Sequence, residues 1–184
     1  MKITTTLITF LFVILSTSIF AQEIKKEAKT VETKIDVFTS KTGIITKFTD
    51  SKLTALKLSY GEVAGTRIRK ISIGPVSSYF YQIEKERSTA SIEYSDLLEV
   101  IKALKTLKDE AEKDAATNPD YLEDKFVTVD GFQVGYYVSK GKVSWYLKLE
   151  KYGSDNTLFI GSAEIIESAF NEAKVKIEEL KKQP

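Results

Sequence analysis

The feature that most constrains the fold is a series of segments in which apolar and polar residues alternate, followed by an amphipathic helix. This arrangement occurs twice along the chain. In several short stretches of each half, apolar residues recur at every second position, a period typical of strands with one buried face. Each series ends in a segment whose apolar residues recur every three or four positions, which is typical of a helix with one buried face. We therefore expect an α+β fold, with a mostly antiparallel sheet of about 8–10 strands and two helices packed on one face.

The predicted elements follow from this periodicity and from turn-forming residues. Strands of the first half are expected at Ile35–Phe38, Ile44–Phe48, Leu53–Tyr60, Thr66–Ile73, Val76–Lys85 and Thr89–Tyr94. Strands of the second half are expected at Phe126–Val129, Phe132–Val138, Val143–Leu149 and Thr157–Ile160. Ser95 and Ser162 stand where the two helices should begin, and Asn118-Pro119-Asp120 should end the first of them. Turns are expected at residues 40–43, at Asp130-Gly131 as a two-residue hairpin turn, and at Tyr152–Asn156.

The two halves also resemble each other in sequence. Ser78–Lys85 aligns with Ser144–Lys151, with aromatic residues opposite aromatic residues and an identical Glu-Lys pair at the end. We interpret residues 53–116 and 125–182 as two repeated ββββα units. The alternative is that amphipathic strands and helices resemble one another by composition alone.

The first 21 residues are typical of a cleaved secretory signal peptide. Lys2 provides a positive start, Leu7–Leu15 is apolar apart from one threonine, and Ala21 suits signal peptidase cleavage directly after it. The apolar stretch is shorter than the ~20 residues that a membrane-spanning helix needs, so we expect no transmembrane segment in the mature chain. Gln22 stands where a lipoprotein would have cysteine, so the mature protein is expected to be periplasmic or extracellular and without a lipid anchor.

The remainder divides into a charged stretch without aromatic residues at 22–34, interpreted as a flexible tether, and one α+β domain at 35–184. The 27 basic and 26 acidic residues nearly balance. A protein that binds nucleic acid through its phosphates normally has a basic excess, so nucleic acid is not an expected partner.

Histidine and cysteine are both missing from the sequence. Their absence excludes disulfides, thiolate metal sites and the familiar serine and cysteine triads. No phosphate-binding glycine loop and no GxSxG nucleophile elbow is present. We therefore assign no catalytic residue, no metal ligand and no cofactor from the sequence.

Aromatic residues in the strands provide one set of candidate binding residues. Alternation places Tyr79, Tyr81 and Trp145 on the face that the helices must cover, where they should belong to the core. Phe80, Tyr137 and Tyr146 fall on the opposite face, where exposed rings could bind a ligand; ordinary cross-strand pairing of aromatic residues is the alternative. The candidate ligand-binding residues from this argument are therefore Phe80, Tyr137 and Tyr146.

Arg67 and Arg69 provide a second candidate site. Two arginines separated by one residue lie on the same face of a strand, and together they could bind one carboxylate or phosphate group. In a chain of balanced charge, they could equally pair with acidic residues on neighbouring strands.

Our leading hypothesis from the sequence is an exported, non-catalytic binding protein of the bacterial cell envelope. Its partner would be a protein, a peptide or a small apolar ligand. Two alternatives stay open: an envelope enzyme that uses a Glu/Asp pair on carbohydrate, and a structural or assembly subunit whose aromatic face is buried against another chain.

Overall fold

The computed structural model describes residues 33–40, 45–150 and 156–183. The helices there are α1 (Lys34–Thr39), α2 (Tyr94–Ala116) and α3 (Ala163–Lys181), with a 3-10 turn at Ser59–Gly61. The strands are β1 (Thr46–Lys52), β2 (Leu56–Lys57), β3 (Val63–Ile73), β4 (Val76–Lys85), β5 (Ser88–Glu93), β6 (Leu122–Val127), β7 (Gln133–Ser139), β8 (Lys142–Lys148) and β9 (Thr157–Ile160).

These strands form two antiparallel sheets. The first has the order β1-β3-β4-β5, with the short β2 also paired to β3, and the second has the order β6-β7-β8-β9. The predicted α+β class and antiparallel pairing are confirmed, but the strands divide between two sheets rather than forming one continuous sheet. The 23-residue helix α2 connects β5 to β6, so no hairpin joins the two meanders.

The helices hold the two sheets around a common core. Helix α2 contacts β4 and β5 of the first sheet and β6, β7 and β8 of the second, while α3 contacts β2, β3 and β9 as well as α2. Phe170 of α3 is fully buried and lies with its ring edge toward Tyr81 of the first sheet, at 5.6 Å between centroids. Its ring also meets that of Phe132, which precedes β7, at 6.1 Å. One residue therefore packs against both halves of the molecule.

Helix α1 corrects two predictions, the strand at Ile35–Phe38 and the extension of the tether through Lys34. Thr33 and Asp36 form a capping box, in which each side chain accepts a hydrogen bond from the other residue's backbone N–H group. This arrangement satisfies donors that the first turn of a helix leaves free, and it favours helix over strand. The Lys34 amide then donates to both carboxylate oxygens of Asp130, at 3.2 and 3.1 Å, which fixes the start of α1 beside the second sheet.

The predicted strand at Leu53–Tyr60 is also wrong over most of its length. Only Leu56–Lys57 pairs with β3, and the chain then enters the 3-10 turn. Tyr60 and Gly61 have φ angles of 63° and 80°, and this left-handed conformation is incompatible with a strand.

The connection between β6 and β7 is longer than the predicted two-residue turn. The Thr128 amide donates to the Phe132 carbonyl at 2.9 Å, which closes a wider loop with Gly131 at a φ of 91°. Strands β4 and β9 have the predicted bounds, and α3 has Ser162 as its N-cap.

Several predictions concern residues outside the described ranges. These are the signal peptide at 1–21, residues 22–32 of the tether, and most of the turns at 40–43 and Tyr152–Asn156. In the second half a four-stranded meander precedes a helix, whereas the first half has five strands before its helix, and the repeat of 53–116 and 125–182 stays a prediction. No helix within the described ranges has the length and apolar character needed to cross a bilayer.

Candidate functional site

The inner aromatic residues lie where the alternation predicts. Tyr79, Tyr81 and Trp145 belong to the main hydrophobic core. The hydroxyl of Tyr81 is buried, and this burial raises its pKa. These three rings are therefore unavailable as an open ligand surface, except where Trp145 borders a cleft described below.

The three outward-facing candidates do not form one surface, because they belong to different sheets. Phe80 is paired with Arg69 and Glu93 in the first sheet and is only 1% exposed. Tyr146 and Tyr137 are on the second sheet, where Tyr146 is 6% exposed and Tyr137 is half-buried. Of the three, only Tyr137 has substantial accessible surface.

Arg67 and Arg69 lie side by side on the outer face of the first sheet, each bound to acidic residues. Arg69 donates two hydrogen bonds to Asp50, at 2.8 and 2.7 Å. The guanidinium of Arg69 holds the pKa of the Asp50 carboxyl below its usual value.

Arg67 completes the same network. It donates to the Glu84 carboxylate at 2.7 Å and to the Gln82 side-chain oxygen at 2.8 Å. Because carboxylates of the protein already occupy these guanidinium groups, an incoming anion would have to displace them. This outer face is thus largely satisfied by its own side chains.

The outer face of the second sheet carries a row of aromatic rings. Tyr121 stacks on Tyr137 with ring centroids 6.1 Å apart, and Tyr137 meets Phe159 edge to face at 6.4 Å. Tyr121 is 64% exposed and Phe159 is 45% exposed. We call Tyr121, Tyr137 and Phe159 the aromatic row.

Tyr146 of the neighbouring strand β8 is paired with Phe159 of this row. Its hydroxyl donates to the Glu123 carboxylate at 2.5 Å, although the two residues stand on β8 and β6, with β7 between them. The β7 residue opposite Tyr146 is Gly135, which has no side chain to obstruct the ring. Hydrogen bonding from Tyr146 lowers the pKa of Glu123.

Two open clefts border the Phe159 end of the row. Each has a volume of about 340 Å³, and both are lined by Ser59, Tyr60 and Phe159. One continues along Tyr137 and Trp145 toward Gly161; the other continues toward Thr157 and the charged side chains of Glu62, Lys85 and Glu86. Tyr60, whose side chain is 99% exposed, stands between them.

Sequence reasoning identified Tyr137 but missed its neighbours Tyr121, Phe159 and Tyr60. The alternation of Thr157–Ile160 places Phe159 on one face of a strand, yet only the register of β8 and β9 shows that it pairs with Tyr146. Tyr121 precedes β6 and Tyr60 lies in the 3-10 turn, so neither belongs to a pattern from which a surface could be predicted.

The Asp and Glu side chains of the described ranges show no cluster that indicates a catalytic or metal-binding site. None of the Asp or Glu residues in the described ranges is among the buried residues, and no three of them there are grouped so that they could hold a metal ion. The pKa of Asp130 is raised by burial, but its oxygens accept hydrogen bonds from the Lys34 amide. The observed geometry gives this residue a structural role.

Comparison with known proteins adds no functional information. No family model, no curated protein and no solved structure matches this chain. The argument about function therefore depends on the geometry alone.

Proposed function

We propose that the mature chain is an exported, non-catalytic binding protein of the cell envelope, and that its ligand contacts the aromatic row on the second sheet. The observation that carries this proposal is the contact between Tyr121, Tyr137 and Phe159 on an outward-facing surface. The signal peptide predicted at residues 1–21 supports the proposed location.

Aromatic rings give a binding surface a large contact area with little conformational freedom to lose. The aromatic row is held by its own ring contacts, and Tyr146 is fixed beside it through Glu123. A ligand with apolar groups would therefore meet a largely preformed surface, which lowers the ordering cost of binding.

The ligand class follows from the character of this surface. The described residues that line the cleft next to Tyr137 are aromatic, aliphatic and small polar residues, without a charge among them. Apolar surface is favoured to leave water upon contact, so a peptide or small apolar molecule suits this region better than a polyanion.

The proposal is tested by calorimetric titration of the mature protein with three probes: decanoate, maltotriose and the peptide acetyl-Thr-Val-Thr-Val-Thr-Lys-amide. Trp145, the only tryptophan, borders the cleft and provides a fluorescence signal for the same titrations. We expect at least one probe to bind, and Tyr137→Ala to weaken its binding by about tenfold or more.

Arg69→Ala is the matched control, because it changes the outer face of the other sheet. It should leave the affinity within about twofold of the original. Binding that is lost in Arg69→Ala and retained in Tyr137→Ala would contradict the proposal, as would the failure of all three probes to bind.

A further inference from the structure

Strand β9 forms an edge of the second sheet, and its exposed backbone groups can be assigned from the register. The Leu149 amide donates to the Asn156 carbonyl at 2.8 Å, and the same antiparallel register continues through β8 and β9. Because hydrogen-bonded and non-hydrogen-bonded pairs alternate along an antiparallel ladder, the backbone groups of Thr157 and Phe159 point away from β8. Within the described ranges, these outward groups have no hydrogen-bond partner.

The other edge strands carry features that oppose pairing with a further strand. Charged side chains occupy several positions of β1 and β6, whose sequences are TKFTDSK and LEDKFV. At β5, the Thr89 amide is occupied by the Glu150 carboxylate at 3.0 Å. Strand β9, with the sequence TLFI, has no charged residue. Natural proteins usually protect sheet edges by such charges or contacts, and within the described part of the chain β9 has neither.

The edge of β9 is also one side of a groove. Ser59 and Tyr60 of the 3-10 turn line the same two clefts as the residues of β9. A groove between a strand edge and a turn can accommodate a single extended chain, whereas the edge of a second folded sheet would bring further strands against the turn. This geometry favours a peptide over another copy of the protein.

Charge is distributed unequally along this groove. Among the described residues, the cleft at the Thr157 end contains Glu62 and Glu86 with Lys85 between them, at 3.1 and 3.9 Å from their carboxylates. The described residues that line the cleft at the Gly161 end are all uncharged. A complementary peptide would be uncharged over most of its length and would have a basic residue near Thr157.

We propose that the ligand is an extended peptide segment that adds to β9 as a fifth strand of the second sheet, with uncharged residues along the groove and a basic residue toward Glu62 and Glu86. This inference rests on the proposed function and specifies its ligand. Antiparallel addition continues the meander, so the basic residue would be at the carboxyl end of the segment. The four residues of β9 span about 13 Å, which corresponds to four paired peptide residues.

The test uses the same peptide, acetyl-Thr-Val-Thr-Val-Thr-Lys-amide, and two forms of it that are N-methylated at either the odd or the even residues. Only one set of alternate peptide amides can face β9 in a strand ladder. One methylated form should therefore bind about tenfold more weakly, through the loss of its hydrogen bonds, while the other retains its affinity. Replacement of the lysine by glutamate should weaken binding by about threefold.

Amide hydrogen exchange in the ¹⁵N-labelled protein provides an independent measurement. Saturation with the peptide should slow exchange at Thr157 and Phe159 by about tenfold or more, because their amides gain partners. Phe159→Lys should weaken peptide binding by about tenfold, since it introduces a charge at the edge. Val127→Lys is the matched control, because Val127 is an exposed apolar residue on the opposite edge strand, β6, and it should leave peptide affinity unchanged.

The outcomes separate this inference from the proposed function. Equal binding of both methylated forms, unchanged exchange at Thr157 and Phe159, or no peptide binding at all would overturn strand addition. If decanoate still bound in a manner dependent on Tyr137, the proposed function would stand without strand addition. Slow exchange of these two amides in the absence of peptide, together with a dimer in light scattering, would assign the edge to a second copy of this chain.

Discussion

The two sheets are alike on their inner faces, which pack into the core, and differ on their outer faces. Each presents alternate apolar residues to the shared core, where Phe170 meets Tyr81 from one sheet and Phe132 beside the other. On the outside, the first sheet has its arginines bound to Asp50 and Glu84. The second sheet has aromatic rings that remain exposed to solvent.

This difference shows that an alternating pattern of apolar residues predicts which side chains face outward. It does not predict whether those side chains are accessible to a ligand. Phe80 and Tyr137 both face away from the helices, yet Phe80 is buried and Tyr137 borders a cleft. An outer face is available for binding where its polar and apolar groups do not already satisfy one another.

The largest expected effect is at the residue shared by the two halves. Phe170→Ala should reduce the free energy of unfolding by about 3–5 kcal/mol, because it leaves a cavity between Tyr81 and Phe132. Urea unfolding followed by circular dichroism and by Trp145 fluorescence should show both signals changing together. Val175→Ala, at an exposed position of the same helix, should change stability by about 0.5 kcal/mol or less. A loss below about 1 kcal/mol for Phe170→Ala would show that the halves do not depend on a common core.

Two strand glycines provide a comparison of intermediate size. A Cβ atom at Gly135 would lie 2.5 Å from the Asp124 carbonyl oxygen, whereas at Gly65 the nearest atom is 3.8 Å away. Gly135→Ala should therefore cost about 1–3 kcal/mol of stability. It should also disturb the hydrogen bond from the Tyr146 hydroxyl to the Glu123 carboxylate. Gly65→Ala should be neutral or stabilise the protein by up to about 1 kcal/mol. Thermal unfolding of both variants measures these changes in stability. Similar losses of stability in the two variants would contradict the close approach of β6 and β7.

The smallest expected effect concerns one carboxylate on each outer face. The pKa of Asp50 is lowered mainly by Arg69, and that of Glu123 mainly by the uncharged hydroxyl of Tyr146. Both groups contribute stability that is present above their unfolded pKa values and is lost as the pH falls through the lower folded values. Raising the salt concentration should bring the pKa of Asp50 toward its usual value more than that of Glu123.

Carboxyl NMR titration at low and high salt measures this difference directly. Arg69→Ala should raise the pKa of Asp50 alone, and Tyr146→Phe should raise that of Glu123 alone. Equal salt sensitivity of the two carboxylates would show that the outer faces do not differ electrostatically in the way described.

Much of the fold could be predicted from local sequence. The bounds of β4 and β9 follow from alternation and flanking turns, and Ser162 marks the start of α3 through its capping preference. The errors arise where a local signal was overlooked, such as the Thr33–Asp36 capping box, or where left-handed backbone interrupts an alternating segment, as at Tyr60. The division into two sheets arises because β5 and β6, on either side of α2, do not pair, and the periodicity of each strand does not encode which strands become neighbours.

The candidate site was predictable only in part for the same reason. Alternation identified Tyr137 as outward-facing, but its contacts with Tyr121 and Phe159 require the register of β6 to β9. Likewise, the sequence shows Arg67 and Arg69 on one strand face, while their pairing with Asp50 and Glu84 depends on which strands become neighbours.

The central claim is that the outer face of the second sheet, and not that of the first, receives the ligand. It is tested most directly by NMR chemical-shift mapping with whichever of the three probes binds most tightly. We predict that the largest shifts will occur at Tyr137, Ser144 and Phe159, which line the cleft beside β9. Largest shifts at Asp50, Arg67, Arg69 and Glu84 instead would place the ligand on the first sheet and contradict the account.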